Sequence, residues 1–158
     1  MTQVCNIIHV ANLADLSEQA KASPRLRKNL NFHVSDTALC HRLLNALEPG
    51  TYIQPHCHLD PEKAETMIIL AGSIGLLIFA ADGSVTQQVT LAAGRENLGI
   101  TIPAGVFHSI VALESGSVFF ESKAGPYVAL SATEKASWAP VEGDPGCSEF
   151  LAEMCARF

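Results

Sequence analysis

The sequence predicts an all-β protein, folded as an antiparallel sandwich or a jelly-roll barrel, and three observations support this fold class. Eight short apolar runs alternate with glycine and proline residues between about residues 38 and 127. Asp82-Gly83, which lies between two of these runs, is a strong signal for a hairpin turn. The runs follow one another without intervening helical patterns, so an antiparallel arrangement is favoured over a parallel sheet with crossover helices.

The expected strands are the apolar runs themselves, and residues that favour turns lie between them. Glu48-Pro49-Gly50 and Glu114-Ser115-Gly116 are predicted turns because glycine and proline interrupt regular strand pairing. The predicted strands cover residues 39–47, 51–58, 66–71, 74–80, 85–91, 99–102, 106–113 and 117–123.

One helical segment is expected before the barrel in the sequence and another after it. Between about residues 13 and 30 the apolar residues recur at loosely helical spacing, and Pro24 is expected to divide this segment. Its apolar positions are Leu13, Leu16, Ala20 and Leu26. A C-terminal helix is expected over residues 148–158, because an apolar stripe recurs there at helical spacing. The members of this stripe are Leu151, Met154, Cys155 and Phe158.

The length of 158 residues is enough for one domain with a real core, and we expect a single domain over residues 1–158. Within it the barrel should occupy about residues 38–127, a helical arm about 13–30 and a C-terminal extension about 128–158. Hydrophobic residues make up 48% and charged residues 16% of the chain, which is typical of a compact globular protein.

The net charge, the cysteine content and the apolar stretches indicate which partners and which cellular location to expect. The formal net charge of -6 repels polyanions, so nucleic acid is not an expected partner. An odd number of cysteines without a C-x-x-C motif favours a reducing compartment, and the cytoplasm is the expected location. The longest apolar stretch, residues 67–81, is interrupted by glycine and serine and is shorter than the roughly 20 residues of a membrane helix, so no membrane partner is expected.

His56-Cys57-His58 is the segment with the clearest chemistry. In a strand, residues two positions apart point to the same face, so both imidazoles should aim at one point while Cys57 points away. Imidazole is a good ligand for zinc, iron, copper and nickel, so this pair is a candidate metal site. A second histidine block, Pro103-Ala104-Gly105-Val106-Phe107-His108, follows later in the chain.

The two histidine blocks resemble the two signature blocks of the cupin family. They are Gly50-x5-His56-x-His58, followed by Gly72, and Pro103-x-Gly105-x-x-His108. The resemblance implies a cupin double-stranded β-helix, which is a jelly-roll barrel, with one divalent transition metal ion inside it. The ligands that it implies are His56, His58, Glu65 and His108. The metal itself stays open among zinc, iron, manganese, nickel and copper.

Two glutamates compete for the position of the carboxylate ligand. Cupins usually have three or four residues between the second histidine and the glutamate, which favours Glu62, because three residues lie between His58 and Glu62. Six residues separate Glu65 from Gly72, as the first cupin block expects, and this favours Glu65. We therefore expect Glu65 to be the ligand and Glu62 to lie in a solvated loop.

A longer set of residues is similar to the WbuC-like cupin-fold metalloproteins, known from bacterial surface-polysaccharide gene clusters and elsewhere. The similarity covers about residues 29–142. Its segments are Pro55-His56-x-His58, Lys63-x-Glu65, Phe119-Phe120-Glu121-Ser122-Lys123-x-Gly125-Pro126-Tyr127 and Trp138-Ala139-Pro140-x-Glu142. The match at Lys63-x-Glu65 adds support for Glu65 over Glu62. This resemblance implies a fold and a metal site more firmly than it implies a reaction.

Strand alternation supplies candidates for the surroundings of the metal. Tyr52 and Gln54 share the parity of the histidine pair and are expected to face the interior. Glu121 and Lys123 share a parity on the last strand, where we expect an inward-facing charged pair, since such residues are rarely buried alone. Arg42 could bind a carboxylate or a phosphate. The candidates for substrate binding are therefore Arg42, Gln54 and Lys123.

These residues predict a metal-dependent enzyme that acts on a small polar metabolite, such as a sugar or a keto acid, with Glu121 or Tyr52 moving a proton. Isomerase, epimerase and oxygenase chemistry all stay open. The alternative is a metal-dependent binding module without turnover, and an inward-facing Glu121 would favour catalysis over it. A metal-free sugar epimerase of cupin fold is a third alternative, in which the histidines would serve as bases. It is disfavoured because all four positions of the cupin metal ligands carry a ligating residue. The resemblance also allows a homodimer, although no interface is visible in the sequence.

Overall fold

The computed structural model describes residues 5–158, and over this range the chain forms two antiparallel sheets and two helices. The helices are α1 (Val10–Ala22) and α2 (Cys147–Cys155). The strands are β1 (Arg27–Asn31), β2 (Cys40–Leu47), β3 (Glu65–Ala71), β4 (Ser73–Phe79), β5 (Val85–Ala92), β6 (Gly99–Ile102), β7 (Phe107–Ala112) and β8 (Ser117–Ala124). One sheet has the order β1-β2-β8-β3-β6 and the other β5-β4-β7, which confirms the predicted jelly-roll barrel with a helix at each end.

The strands from β2 to β8 begin and end within two residues of seven of the predicted apolar runs. The run over residues 51–58 is different, because it forms no regular strand. Within it only His56 forms β-bridges, one to His108 of β7 and one to Lys135. The prediction of a strand here was wrong, since the segment pairs with its neighbours too briefly to form a ladder.

The N-terminal segment also differs from the prediction of one helical arm over residues 13–30. The helix α1 ends at Ala22, before Pro24, whose ring removes a backbone donor and disfavours a continued helix. The chain then turns through Leu26, which has a φ of 54°, and enters β1. This strand pairs antiparallel with β2 at the edge of the larger sheet. Its mostly polar sequence and exposed surface explain why no apolar pattern marks it.

The core has three parts, which follow from the alternation of side chains along the strands. Residues from both sheets fill the barrel interior, among them Leu47, Met67, Leu76, Ile110 and Phe119. On the outer face of the larger sheet, α1 packs Leu16 and Ala20 against Leu44, Ala46 and Val118. On the outer face of the smaller sheet, α2 packs Met154 against Leu77, Phe79 and Val111. The central strand β4 is therefore buried on both faces.

The C-terminal helix confirms the expected amphipathic segment, although it ends at Cys155. Met154 is its most buried residue, at 2% exposure. Phe158, beyond the helix, packs its ring against Gly75 of β4, where an added Cβ would overlap the ring. Glycine is therefore required at position 75 for this contact. Across residues 5–158, the structure has no helix with the length and apolar character to cross a membrane.

Candidate metal centre

The histidine pair lies on a segment that is held from two sides. The backbone of His56 exchanges hydrogen bonds with His108 of β7, with N–O distances of 3.0 and 2.9 Å. On its other side, Cys57 N donates to Glu134 O at 2.8 Å and Ala136 N donates to Pro55 O at 2.9 Å. These bonds position the imidazole of His56 even though the segment is not a regular strand.

The side chains of His56, His58 and Glu65 converge at one point in the barrel. One potential ligand atom from each of the three lies within 4.8 Å of the others. Glu65 is the first residue of β3 and is 2% exposed, and its Oε1 lies 2.8 Å from His58 Nε2. This grouping has the composition and spacing of a site that could hold a metal ion.

His108 lies next to this group, on the second residue of β7. Its Nε2 is 3.1 Å from Glu65 Oε2, and its ring centroid is 4.6 Å from that of His56. His108 is 3% exposed. The structure therefore brings all four predicted ligands together, although His108 lies outside the group of atoms within 4.8 Å of one another.

The hydrogen bonds of the imidazoles show why a cation fits this cluster. His56 Nδ1 lies 3.0 Å from Gln54 O and His108 Nδ1 lies 2.9 Å from Val106 O. A carbonyl oxygen only accepts, so each Nδ1 must carry the proton, and in the neutral ring Nε2 is an acceptor. His108 Nε2 then faces the carboxylate of Glu65, which is also an acceptor. Two facing acceptors need a proton or a metal ion between them.

The protonation states also suit metal ligands. Burial disfavours the charged ring of His56 and, together with neighbouring His108, lowers the pKa of His56 to about 4. Burial alone would raise the pKa of Glu65, but hydrogen bonds with His108 and His58 and the charge of Lys123 hold it well below its usual range. A neutral imidazole and an ionised carboxylate are the forms that bind a metal ion.

A charged pair on β8 lies beside the cluster. The ammonium group of Lys123 lies 2.8 Å from Glu65 Oε1 and 2.7 Å from Glu121 Oε1. Burial opposes this charge, but Glu121 and Glu65 outweigh burial and raise the pKa of Lys123. Asn45 Nδ2 donates to Glu121 Oε2 at 2.8 Å, whereas Glu121 Oε1 makes no well-aligned hydrogen bond with any described residue. One oxygen of Glu121 is thus oriented by Asn45 and the other keeps acceptor capacity.

A cavity of about 420 Å³ opens from this cluster towards β1. The polar residues at its inner end are His56, Glu65, His108, Glu121, Lys123 and Asn45. Its walls include apolar side chains from both sheets, such as Met67, Ile110 and Phe119. Arg25, Arg27 and Lys28 line it where β1 begins. A small polar molecule would therefore meet both the cluster and Glu121.

Three of the predicted site residues lie elsewhere, which corrects the parity argument for residues 52–58. Tyr52 OH donates to Pro140 O at 2.7 Å, and the ring packs in the cluster beneath α2 rather than lining the cavity. Burial raises the pKa of Tyr52, so its hydroxyl is a poor acid or base. Gln54 Nε2 donates to Ala136 O at 3.2 Å and does not line the cavity either.

The third is Arg42, which is exposed on β2 and is not among the residues that line the cavity. Leu43, its neighbour, lies opposite Glu121, so Arg42 points to the other face of the sheet. The arginines that line the cavity are Arg25 and Arg27 instead of Arg42. Both donate hydrogen bonds to Glu142, at distances of 2.6 to 2.8 Å.

Sequence reasoning did not identify Asn45, Arg25 or Arg27. A signal existed for Asn45, since it is the one amide in the apolar run from Leu43 to Leu47 and has the parity of Phe119. No such signal existed for the two arginines, because their positions depend on β1, an edge strand that apolar periodicity does not mark.

Comparison with solved structures places these sheets in the cupin fold. The chain is similar to KdgF from Halomonas sp., with 17% identity over 67% of this chain and 84% of that chain and a TM-score of 0.51. It is also similar to a Bacillus subtilis oxalate decarboxylase studied for its Mn(II) centres, with 21% identity over 69% of this chain and a TM-score of 0.50. The chain spans only 27% of that second protein. At these identities the likeness shows the fold alone.

No curated protein matches the sequence at a significant level. A family model, described as a domain of unknown function (DUF6016), matches residues 8–91. The matched range runs from α1 through β5 and contains His56, His58 and Glu65. Since it covers more than half of the 158 residues, the cupin-fold chain described here belongs to the DUF6016 family.

Proposed function

We propose that this protein is a metal-dependent cupin enzyme that acts on a small polar metabolite, such as a sugar or a keto acid. One divalent transition metal ion, drawn from zinc, iron, manganese, nickel and copper, would be held by His56, His58, Glu65 and His108. The observation that carries the proposal is the convergence of His56, His58 and Glu65, whose ligand atoms lie within 4.8 Å of one another. Beside them His108 Nε2 and Glu65 Oε2 are two acceptors 3.1 Å apart that need a proton or a metal ion between them. When bound, such an ion polarises a carbonyl or hydroxyl group of the substrate.

The protein residues around the cluster suit proton transfer and substrate orientation. Glu121 is 6% exposed and lines the cavity, with Oε2 held by Asn45 and Oε1 next to Lys123. A carboxylate held in this way can accept a proton from a substrate in the cavity and return it. Lys123 can donate a hydrogen bond to a substrate oxygen.

Three finer points belong to the same proposal. The WbuC-like resemblance supports membership of that group, with a role linked to surface-polysaccharide metabolism. Cytoplasmic location is supported by the five cysteines, none of which forms a disulfide in the described residues. We also propose that residues 1–158 form one cupin domain and that the protein acts as a homodimer.

Metal analysis of protein purified anaerobically tests the first part of the proposal. We expect about one equivalent of a divalent transition metal in the wild-type protein and almost none in His108→Ala, because that variant removes one of four ligands. Elemental analysis by mass spectrometry measures both. A metal-free wild-type protein, or the same metal content in the variant, would refute the proposed site.

Turnover tests the second part. Sugars and keto acids that raise the melting temperature of the metal-loaded protein would be assayed as substrates of the wild type and of Glu121→Gln. This substitution keeps an oxygen for the hydrogen bond from Asn45 but removes the base, so we expect metal binding to persist and turnover to fall at least about a hundredfold. Glu48→Gln is the matched control, a buried glutamate that does not line the cavity.

The alternative function, a metal-dependent binding module, leads to a different outcome of the same assay. A binding module would bind the metabolite in both Glu121→Gln and the wild type, with no turnover in either protein. The orientation of Glu121 into the cavity favours the enzyme, because a binding site has no need of a buried carboxylate with free acceptor capacity. Equal turnover in the wild type and Glu121→Gln would remove Glu121 from the mechanism.

A further inference from the structure

Two arginines line the cavity on the side where β1 begins. Arg25 lies in the turn before β1, and Arg27 is the first residue of the strand. Arg27 pairs with Leu47 of β2, a member of the interior cluster, so its side chain starts on the inner face of the sheet. The side chain of Arg27 is 17% exposed and that of Arg25 is 62% exposed. The cavity therefore has one partly buried and one exposed guanidinium group on the same side.

These two guanidinium groups share a single carboxylate, that of Glu142. Arg25 donates to it through Nε and Nη2, at 2.7 and 2.6 Å, and Arg27 donates through Nη2 to both oxygens at 2.8 Å. Burial lowers the pKa of Arg27 although the bonds to Glu142 act in the opposite direction, so this carboxylate does not fully compensate the charge. Glu142 does not line the cavity, whereas both arginines do. Two positive charges against one negative charge make this side of the cavity favourable for an anionic group.

The contacts of Arg25 leave hydrogen-bond donors free. Arg27 uses Nη1 as well, which donates to Tyr52 O at 2.8 Å and to Thr51 Oγ1 at 3.2 Å. Arg25 Nη1, by contrast, makes no hydrogen bond with any described residue, so its two N–H groups can bind a ligand. Because Glu142 holds Nε and Nη2, the plane of this guanidinium group is fixed before a ligand binds. A fixed guanidinium group with free N–H groups suits the oxygens of a carboxylate or a phosphate.

The arginines lie at some distance from the reacting end of the cavity. Asn29 of β1 lies opposite Asn45 of β2, and Asn45 donates to Glu121 beside the candidate metal cluster. Arg27 is the next inward-facing residue of β1, about 7 Å along the strand from Asn29. A ligand that reaches from the arginines to Glu121 therefore carries its anionic group several bonds away from the atoms that react. The cavity of about 420 Å³ has the size of a small-molecule site.

We propose that Arg25 and Arg27 bind an anionic group of the substrate, a carboxylate or a phosphate. This inference rests on the proposed function, whose substrate class it narrows. The metabolite is an acid that carries its negative charge at the end opposite its reacting carbonyl or hydroxyl group. Hydrogen bonds between a guanidinium group and an oxyanion are stronger than neutral ones, so they orient the acid in the cavity. A neutral sugar lacks this contact.

Calorimetric titration of the full chain with three six-carbon probes tests this site. Gluconate carries a carboxylate, glucose 6-phosphate carries a phosphate, and glucitol is the neutral analogue of gluconate. We expect at least one anionic probe to bind and glucitol to bind at least about tenfold more weakly than that probe, because the charge-assisted bonds are lost. Binding of gluconate alone assigns a carboxylate, and binding of glucose 6-phosphate alone assigns a phosphate. Binding of neither anion, or equal binding of glucitol, would overturn the proposal.

Substitutions of the arginines separate recognition of charge from a structural role. Arg25→Gln should lower the affinity for the anionic probe at least about tenfold, and Arg25→Lys, which keeps the charge, should lower it less. Arg27→Gln tests the second guanidinium group in the same way. Arg42→Gln is the matched control, an exposed arginine on the other face of the sheet, and should bind the probe as the wild type does.

The exposure of Arg25 makes its variants the decisive ones, since an exposed side chain contributes little to folding. Thermal melts show that each variant is folded before its affinity is compared. Equal affinity in the wild type and in folded Arg25→Gln would overturn the proposal. The same loss in Arg42→Gln as in Arg25→Gln would overturn it as well, because the effect would then come from net charge alone.

The titrations are made with the metal-loaded protein and again after chelation, with metal content measured in each sample. We expect the ratio of wild-type to Arg25→Gln affinity to be the same in both, because the arginines are not metal ligands. A ratio that falls to one on chelation would mean that the anion binds through the metal ion, which contradicts the inference. A wild-type protein that holds no metal but binds the anionic probe through Arg25 supports the inference and refutes only the proposed metal function.

Discussion

At the scale of single residues, the carboxylate of Glu65 holds the candidate centre together. Its Oε1 lies 2.8 Å from both His58 Nε2 and Lys123 Nζ, and its Oε2 lies 3.1 Å from His108 Nε2. Glu62, the rival suggested by the usual cupin spacing, is exposed in the turn after Asp60. A ligand has to be held in position by its surroundings, and only Glu65 is held in this way.

Substitution of Glu65 and substitution of Glu62 should therefore have different effects on metal affinity. Loss of a group that merely orients a ligand typically lowers metal affinity about 10- to 100-fold, so we expect Glu65→Gln to lower it at least as much. Glu62→Gln should bind metal as the wild type does. Competition with a chelator of known affinity measures both values. The reverse order would mean that the ligand lies in the exposed loop.

Tyr52 supplies a second prediction at this scale. Because its hydroxyl donates to Pro140 O, Tyr52→Phe should lower the free energy of unfolding by about 1 kcal/mol and leave metal content and turnover unchanged. Tyr127→Phe is the control, since this tyrosine is 63% exposed and should change stability little. Denaturant unfolding gives the free energies. Loss of turnover in Tyr52→Phe at full metal content would restore Tyr52 to the mechanism.

At the scale of elements, the histidine segment depends on the chain that follows β8. Residues 134–136 pair with residues 55–57, and the side chain of Glu134 fixes the turn beside them. Glu134 Oε1 accepts from Leu59 N at 3.0 Å, and Oε2 accepts from Ser131 N at 2.9 Å. These bonds to Leu59 and Ser131 lower the pKa of Glu134 to about 2. The C-terminal extension thus takes part in shaping the candidate site.

This low pKa predicts how stability depends on pH. The carboxyl of Glu134 has an ordinary pKa of 4.5 and a folded-state pKa of about 2, so its ionised form stabilises the fold above pH 4.5. That contribution declines as the pH falls from 4.5 towards 2. We expect Glu134→Gln to melt below the wild type near pH 7 and the difference to vanish near pH 2. A difference that does not change with pH would contradict this account.

At the scale of the whole molecule, the fold does not rest on the metal centre. Its three apolar clusters lie between the sheets, under α1 and under α2, and each contains several residues that are at most 7% exposed. None of the four candidate ligands is a member of these clusters. We therefore regard a bound metal as a ligand of a folded barrel rather than as its scaffold.

The expected result of metal removal follows from this arrangement. Chelation, or the substitution His56→Ala, should leave the far-ultraviolet circular dichroism spectrum unchanged and lower only the melting temperature. The loss in stability should be about 2.7 kcal/mol if the wild type is compared at a free metal concentration 100 times its dissociation constant. Circular dichroism melts measure both effects. A chain that unfolds on chelation would show that the metal is structural.

Much of this molecule follows from patterns local in the sequence. The apolar runs mark β2 to β8, because alternation and turn residues act over a few positions. The position of Glu65 relative to Gly72 indicates the inward carboxylate, since both belong to one strand and its turn. Glu121 and Lys123 share a face for the same reason.

The sequence by itself determined the fold class and the shared face of Glu121 and Lys123, and its resemblance to cupins supplied the four candidate ligands. Only the tertiary structure decided that residues 51–58 form no strand, that Tyr52 packs beneath α2, and that the start of the polar strand β1 and the turn before it bring Arg27 and Arg25 to the cavity. Strand alternation predicts the direction of a side chain only where a ladder of hydrogen bonds holds the backbone, and an edge strand of polar residues has no apolar period to detect. For these segments the contacts that fix each side chain come from residues distant in the chain, so no local pattern could reveal them.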